Sequence, residues 1–335
     1  MRWSLLLLSL LISLPAFAAG EVNLYSARKE ALIKPLLERF TAETGIDVNL
    51  ITGKADALVK RMQSEGSNSP ADVLLTVDAG RLHRAEQADL LQPAGSEVLD
   101  RAVPAAYRDP QGLWYGLSLR ARTIVYAKDR VDPKTLSSYE DLADPKWKGR
   151  ICIRSSNNIY NQSLVAALID ELGEQTTETW AKGLVANMAR PPKGGDRDQI
   201  KAVAIGQCDI AVINTYYLGT MLASTDPRER KAAEAVAVFW PNQQDRGVHM
   251  NISGAGIAKY AKHPDNARRL LEFLVSPEAQ RWYGEVNFEY PVVQGVAESA
   301  TLKSWGTFTA DTINLGRLGD NNAAAVKLMD RAGWR

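Results

Sequence analysis

Residues 144–164, DPKWKGRICIRSSNNIYNQSL, decide the fold. Asp144-Pro145-Lys146-Trp147-Lys148-Gly149 is rich in turn formers, Arg150 to Arg154 reads as a strand, and Ser155-Ser156-Asn157-Asn158 supply the polar caps that open a helix over Ile159 to Leu172. The same grammar returns at residues 206–219, GQCDIAVINTYYLG. There a strand over Cys208 to Asn214 runs into a helix over Tyr216 to Ala223, preceded by a short helix over Gln199 to Ile205. Upstream, Val22 to Tyr25 is β-prone, Glu30 to Thr44 carries apolar residues at helical spacing up to Gly45, Ile46 to Ile51 returns to a strand, Ala55 to Glu65 is amphipathic, and Asp72 to Val77 reads as a buried strand. A β-rich stretch spans Trp114 to Ala127. Val236 to Trp240 adds a strand, and Asn266 to Leu274 and Pro277 to Tyr283 add helices. Strands alternating with helices predict an α/β fold, and two such units predict two lobes with a ligand cleft between them.

The chain has 335 residues. Residues 1–18 have the form of an export signal: Arg2, an apolar run from Leu5 to Leu14, then Pro15 and the small-residue signal Ala16-Phe17-Ala18. The apolar run is too short for a membrane anchor, no Cys follows it to take a lipid, and no later segment approaches the roughly 20 apolar residues of a span. The mature protein is expected outside the cytoplasm, without membrane insertion. Lys and Arg total 40 against 39 Asp and Glu, and losing Arg2 with the leader balances them at 39 each. Such a chain has no overall basic field for nucleic acid or anionic lipid, and a small or locally recognised ligand fits better.

Cys152 and Cys208 are the only cysteines. In an oxidising compartment they read as a disulfide, the alternative being two buried thiols. There is no CxxC, and His83, His249 and His263 stand alone, so a thiolate or imidazole metal site is not indicated. Tyr160 follows Cys152 by eight residues and Tyr216 follows Cys208 by eight. A bridge between the cysteines would set two strand-to-helix units side by side, with Tyr160, Tyr216 and the adjacent Tyr217 at the ligand-binding end of the strands. Three phenols suit packing and hydrogen bonding in any cleft. They also suit a hard trivalent cation, since three phenolates neutralise Fe(III) and hard cations prefer oxygen. An octahedral ion has further positions for a small anion such as carbonate. Candidate anion donors are the helix start at Ser155, Ser156, Asn157 and Asn158, and the guanidinium groups of Arg28, Arg120 and Arg122; a surface ion pair is the alternative for each arginine.

LYSARKE (24–30), SPADVLLTVDAG (69–80), GLWYGLSLRARTIVYAKD (112–129), SPEAQRWYG (276–284) and the two stretches quoted above resemble the periplasmic ferric-ion-binding proteins, the substrate-binding components of ABC-type iron importers. SSNNIYNQSL and NTYY are the specific pieces, and they imply Tyr160, Tyr216 and Tyr217 as iron ligands. Members with first-lobe ligands place them after the YSxR stretch and after the ADV strand. Here Lys29 and Glu30, and Val77 and Asp78, stand at those places, so the chain looks more like the branch with three tyrosines and carbonate or bicarbonate; Glu30 and Asp78 read as solvated charge, the alternative being a contact with the metal site.

The resemblance implies the two-lobed periplasmic binding protein fold. The first lobe is expected over 19–119 and about 244–295, and the second over about 120–243 and 296–335. It also implies a periplasmic monomer that performs no reaction and passes Fe(III) to an ABC-type inner-membrane permease. The competing readings are a receptor for an organic ligand such as a polyamine or thiamine, and a secreted hydrolase. The hydrolase lacks support, because no GxSxG or HExxH is present and no histidine stands near a candidate nucleophile.

Overall fold

Strand β1 (Glu21–Ser26) lies between two parallel partners, β2 (Asp47–Thr52) and β3 (Val73–Val77). The helices Lys34–Thr44 and Ala55–Glu65 form the crossovers, so the opening β-α-β-α-β pattern is present as the alternation predicted. These coordinates are a computed structural model that describes residues 20–335; the export-signal reading falls outside the described residues. The expected helix over Glu30 to Thr44 is divided. A 3-10 turn, Glu30–Leu32, comes first, and the α-helix starts only at Lys34. Pro35 is the reason: it has no N–H to give and its ring opposes a preceding helical turn, so it sits best in the first turn of a new helix.

A short strand, β4 (Leu91–Gln92), precedes the 13-residue β5 (Tyr115–Ala127), which organises the whole sheet. Then come β6 (Ile151–Cys152), β7 (Ile210–Asn214), β8 (Val236–Phe239), β9 (Met250–Ala258) and β10 (Tyr290–Pro291). The main strand order is β2-β1-β3-β9-β5-β7-β6. The first half of β5 pairs with β9 and β10, and its second half, from Arg122 on, pairs with β7 and β8. One strand thus belongs to both halves of the sheet, and Arg120 and Arg122 flank the handover.

The alternation in the sequence does not announce β9, whose run Met250-Asn251-Ile252-Ser253-Gly254-Ala255-Gly256-Ile257-Ala258 contains two glycines and few β-formers. Every residue in it is buried. A Cβ on Gly256 would lie 2.3 Å from the Leu113 carbonyl oxygen, and one on Gly254 would lie 2.6 Å from that of Tyr115. The glycines are there because the neighbouring backbone comes too close for a side chain. The expected strand over Arg150 to Arg154 is also shorter than its apolar pattern, with only Ile151 and Cys152 paired to β7.

The parallel pairing of β6 with β7 puts the two strand-to-helix units next to each other, and Cys152 and Cys208 form the expected disulfide, with Cα atoms 5.9 Å apart. The helices leave their strands at Ile159–Leu172 and Thr215–Leu222. The C-terminal helices Gly316–Asp320 and Asn322–Arg331 pack on Ile159–Leu172, and the buried Trp334 donates its indole N–H to the Arg154 carbonyl at 2.9 Å. The chain end therefore braces the loop that leads to Tyr160. Among the described residues no helix is long and apolar enough to cross a membrane.

Candidate metal centre

Tyr160 is the second residue of the helix Ile159–Leu172, and Tyr216 and Tyr217 are the second and third of Thr215–Leu222. Both helices begin at the carboxyl ends of adjacent parallel strands, so the three phenols meet. The hydroxyls of Tyr216 and Tyr160 are 3.2 Å apart, and the Tyr216 and Tyr217 rings stack at 4.2 Å between centroids with a 33° tilt. All three side chains are half-buried. They line a cavity of about 320 Å3 together with Arg28, Lys29, Val77, Arg197, Thr220, Asn287 and Glu289, among others.

Burial, followed by the proximity of Tyr160 and Tyr217, drives the Tyr216 phenol well above its ordinary pKa. Burial and the neighbouring Tyr160 push Tyr217 up to about 12. At neutral pH both are protonated, and each would be harder to ionise beside an ionised neighbour. A cation that replaces the protons removes that repulsion and supplies the countercharge.

The arginines fall into different situations. Arg120 is 1% exposed, and its guanidinium carbon stands 5.6 Å from the centre of the Tyr160 ring. One N–H donates to Ser253 Oγ at 3.0 Å, while Nε and Nη2 have no partner among the described residues. Two buried, unsatisfied donor nitrogens of a cation suit an anion, although Arg120 stands beside Tyr160 and is not part of the cavity wall. Arg122 is instead committed: Nη1 donates to Asp196 at 2.6 Å and Asn214 at 3.2 Å, and Nη2 to Asn161 at 2.6 Å. Arg28 reaches the cavity but pairs with the buried Glu289 at 2.6 Å. Ser118, Arg120 and Arg122 are alternate residues of β5 and so share one face, as a period of two requires.

Ser155 to Asn158 form the loop before the Tyr160 helix without lining the cavity. Asn158 is the N-cap, but its side chain makes no capping bond and its buried Oδ1 is unpartnered. The loop is held from its own helix, by Asn161 Nδ2 donating to the Arg154 and Ser155 carbonyls and Gln162 Nε2 donating to that of Ser156. Glu30 is exposed and pairs with Lys34. Asp78 departs from the solvated reading: it is fully buried at a φ of 89°, caps the helix Ala79–Gln87 through Gly80 N–H, and accepts from Ser163 Oγ at 2.8 Å and Asn251 Nδ2 at 2.9 Å. Burial raises its pKa. Its neighbours satisfy both oxygens, and through Ser163 it touches the helix that bears Tyr160.

Two groups near the tyrosines carry no motif in the sequence. Arg154 lies 5.8 Å from the Tyr160 ring centre, so three guanidinium groups surround that phenol, with Arg122 at 6.0 Å. Asp196, fully buried, pairs with both Arg122 and Arg154. The lone histidines stay out of the site. His249 is buried with neither ring nitrogen bonded, and burial pushes its pKa down to about 3; His263 contacts Asp72, and His83 lies between Glu86 and Asp320.

A family described as bacterial extracellular solute-binding protein matches residues 68–310. Iron uptake protein A1 of Synechocystis is 52% identical over 315 residues, which span 94% of this chain and 88% of that protein. The Fe(3+)-binding periplasmic protein of Serratia marcescens is 31% identical across 98% of this chain and 96% of its own length. Among solved structures, Trichodesmium FutA (IdiA) in complex with iron and citrate ligands superposes with a TM-score of 0.92 at 53% identity, over 94% of this chain and all of that one.

Proposed function

This chain belongs to the bacterial extracellular solute-binding proteins, and from that premise we propose that it is a periplasmic Fe(III) receptor whose metal is held by the phenolates of Tyr160, Tyr216 and Tyr217 with a small oxyanion. The observation that carries the ligand set is the meeting of the Tyr160 and Tyr216 hydroxyls at 3.2 Å with Tyr217 stacked alongside. Three phenolates neutralise Fe(III), and oxygen donors match its hardness. The remaining coordination positions go to the oxyanion. Carbonate or bicarbonate suits the two unpartnered N–H groups of Arg120, whose planar fork matches a planar anion. Arg122 takes the role of scaffold instead, because both of its terminal nitrogens bond Asp196, Asn161 and Asn214, which leaves only Nε without a partner among the described residues.

A receptor for a cationic organic ligand fits less well. The cavity wall presents Arg28, Lys29 and Arg197, and its one carboxylate, Glu289, is neutralised by Arg28. The protein is a carrier and not an enzyme: it closes on the iron and hands it to an ABC-type permease, acting as a monomer. We place the first lobe over residues 19–119 and about 244–295, and the second over about 120–243 and 296–335. The change of partners along β5 at Arg120 to Arg122 supports the first of these boundaries. Adding Fe(III) and bicarbonate to the purified protein should produce the visible absorption of iron-bound tyrosinate, and Tyr160→Phe, Tyr216→Phe and Tyr217→Phe should each weaken binding while leaving the fold intact. Iron binding unchanged in all three variants would return these rings to a packing role.

A further inference from the structure

We propose that Asp196 is the positioning residue of the tyrosine site, one buried carboxylate that ties together the two separate segments supplying the iron ligands. The inference rests on the tyrosine reading above.

Asp196 opens the helix Asp196–Ala204 and is fully buried. Its Oδ1 accepts from Arg122 Nη1 at 2.6 Å and from the backbone N–H of Asn214 at 3.2 Å; its Oδ2 accepts from Arg154 Nη1 at 2.7 Å. Asn214 ends β7 and is the N-cap of the helix bearing Tyr216 and Tyr217. Arg154 begins the loop to Tyr160, and its carbonyl accepts from Asn161, the residue after Tyr160. Arg122 closes the circuit by donating to Asn161 and Asn214. The disulfide joins the two strand-to-helix units at one end, and Asp196 joins them at the other, next to the ligands.

Energetics favour a geometric role over a stabilising one. A buried carboxylate between two guanidinium groups sacrifices hydration that its ion pairs only partly return, so an apolar substitute would serve stability as well. Nor does its charge favour the metal site to first order, because a carboxylate near Tyr216 and Tyr217 opposes formation of the phenolates as much as it attracts the Fe(III) that neutralises them. What remains is position: three bonds at fixed angles hold the helix starts in register, the kind of support that a ligand constellation needs.

The test uses Asp196→Asn in the full mature protein, with Fe(III) and bicarbonate, read by the tyrosinate-to-iron absorption band and by competition with EDTA. Asparagine keeps the shape but cannot accept from both arginines. Losing a charge-assisted hydrogen bond of this kind predicts about tenfold weaker iron binding or more, with a displaced or broadened band. A carboxylate acting through charge alone opposes the phenolates and attracts the Fe(III) that neutralises them, so that role predicts affinity near the wild type. Asp209→Asn is the control, since it removes ion pairs to Arg130 and Arg150 in the same half of the sheet, away from the phenols, and should leave both readouts unchanged. If Asp196→Asn lacks a cooperative melt, Arg154→Lys carries the test, because it keeps the positive charge while losing the guanidinium fork, and the same loss and band change are expected. Wild-type band and affinity in the folded variant, tighter binding, or an equal effect of Asp209→Asn would overturn the proposal. A wild-type protein with no iron-dependent band would instead defeat the ligand assignment itself.

Discussion

Acidification should release the iron, with a slope that counts the phenols. Tyr216 and Tyr217 enter the free protein protonated, since burial and the neighbouring phenols push Tyr217 up to about 12 and raise Tyr216 well above its ordinary value. Each must lose its proton to bind. At pH 7, ionising Tyr217 alone costs about 7 kcal/mol, five pH units at about 1.36 kcal/mol each, which the metal has to offset. The sign follows directly: protons and Fe(III) compete for the same oxygens, so affinity rises with pH and falls as pH falls. With Tyr216 and Tyr217 protonated throughout the neutral range, the logarithm of the affinity should drop by at least about two per pH unit, or about a hundredfold or more between pH 7 and pH 6, and a protonating carbonate adds to this. The measurement is a competition titration against EDTA at several pH values, corrected for the protonation of EDTA and followed at the tyrosinate band, with and without bicarbonate. Tyr216→Phe should lower the slope by about one. A slope near one in the wild type, or a slope unaffected by Tyr216→Phe, would refute the three-phenolate site.

Other outcomes follow from the same geometry. Reducing Cys152–Cys208 opens a loop with a sequence separation of 56 residues, and the chain-entropy account gives a loss of about 4 kcal/mol, seen as a lower melting temperature in the presence of a reductant. Arg120→Gln should weaken the bicarbonate dependence of iron binding more than it lowers the melting temperature, because Nε and Nη2 of Arg120 have no partner among the described residues. Gly256→Ala should destabilise by about 1–3 kcal/mol in urea unfolding, since its new methyl group would press on the Leu113 carbonyl in the centre of the sheet.

The tyrosines were legible because two short motifs carry them at one spacing from two cysteines. Parallel pairing of the following strands turns that one-dimensional echo into a meeting of side chains. The helix over Ile159 to Leu172 was legible for a related reason: its start has polar capping residues and its interior is apolar on most sides, so the boundaries in the sequence and in the structure coincide. The strand β9 was not, because its glycines are selected by the approach of the Leu113 and Tyr115 backbone at the start of β5, and such a contact leaves residues that locally argue against a strand. Asp78 failed differently. A carboxylate after a buried strand reads as a surface charge unless one knows that Ser163 and Asn251, 85 and 173 residues away, will satisfy it.

The same distinction separates the ligands from their support. A metal ligand must present a particular atom, which restricts the residue type and marks the sequence. A supporting residue must only satisfy whichever groups the fold delivers to it, and those groups come from distant segments. Asp196 receives Arg122, Arg154 and Asn214 from three strands or strand ends that come together only after the sheet has formed. Arg120 and Arg122 look equivalent in the sequence, two residues apart on one strand face. Ser253 from β9 meets the first and Asp196 meets the second, so the tertiary structure alone leaves Arg120 with two unpartnered nitrogens among the described residues while both terminal nitrogens of Arg122 are bonded.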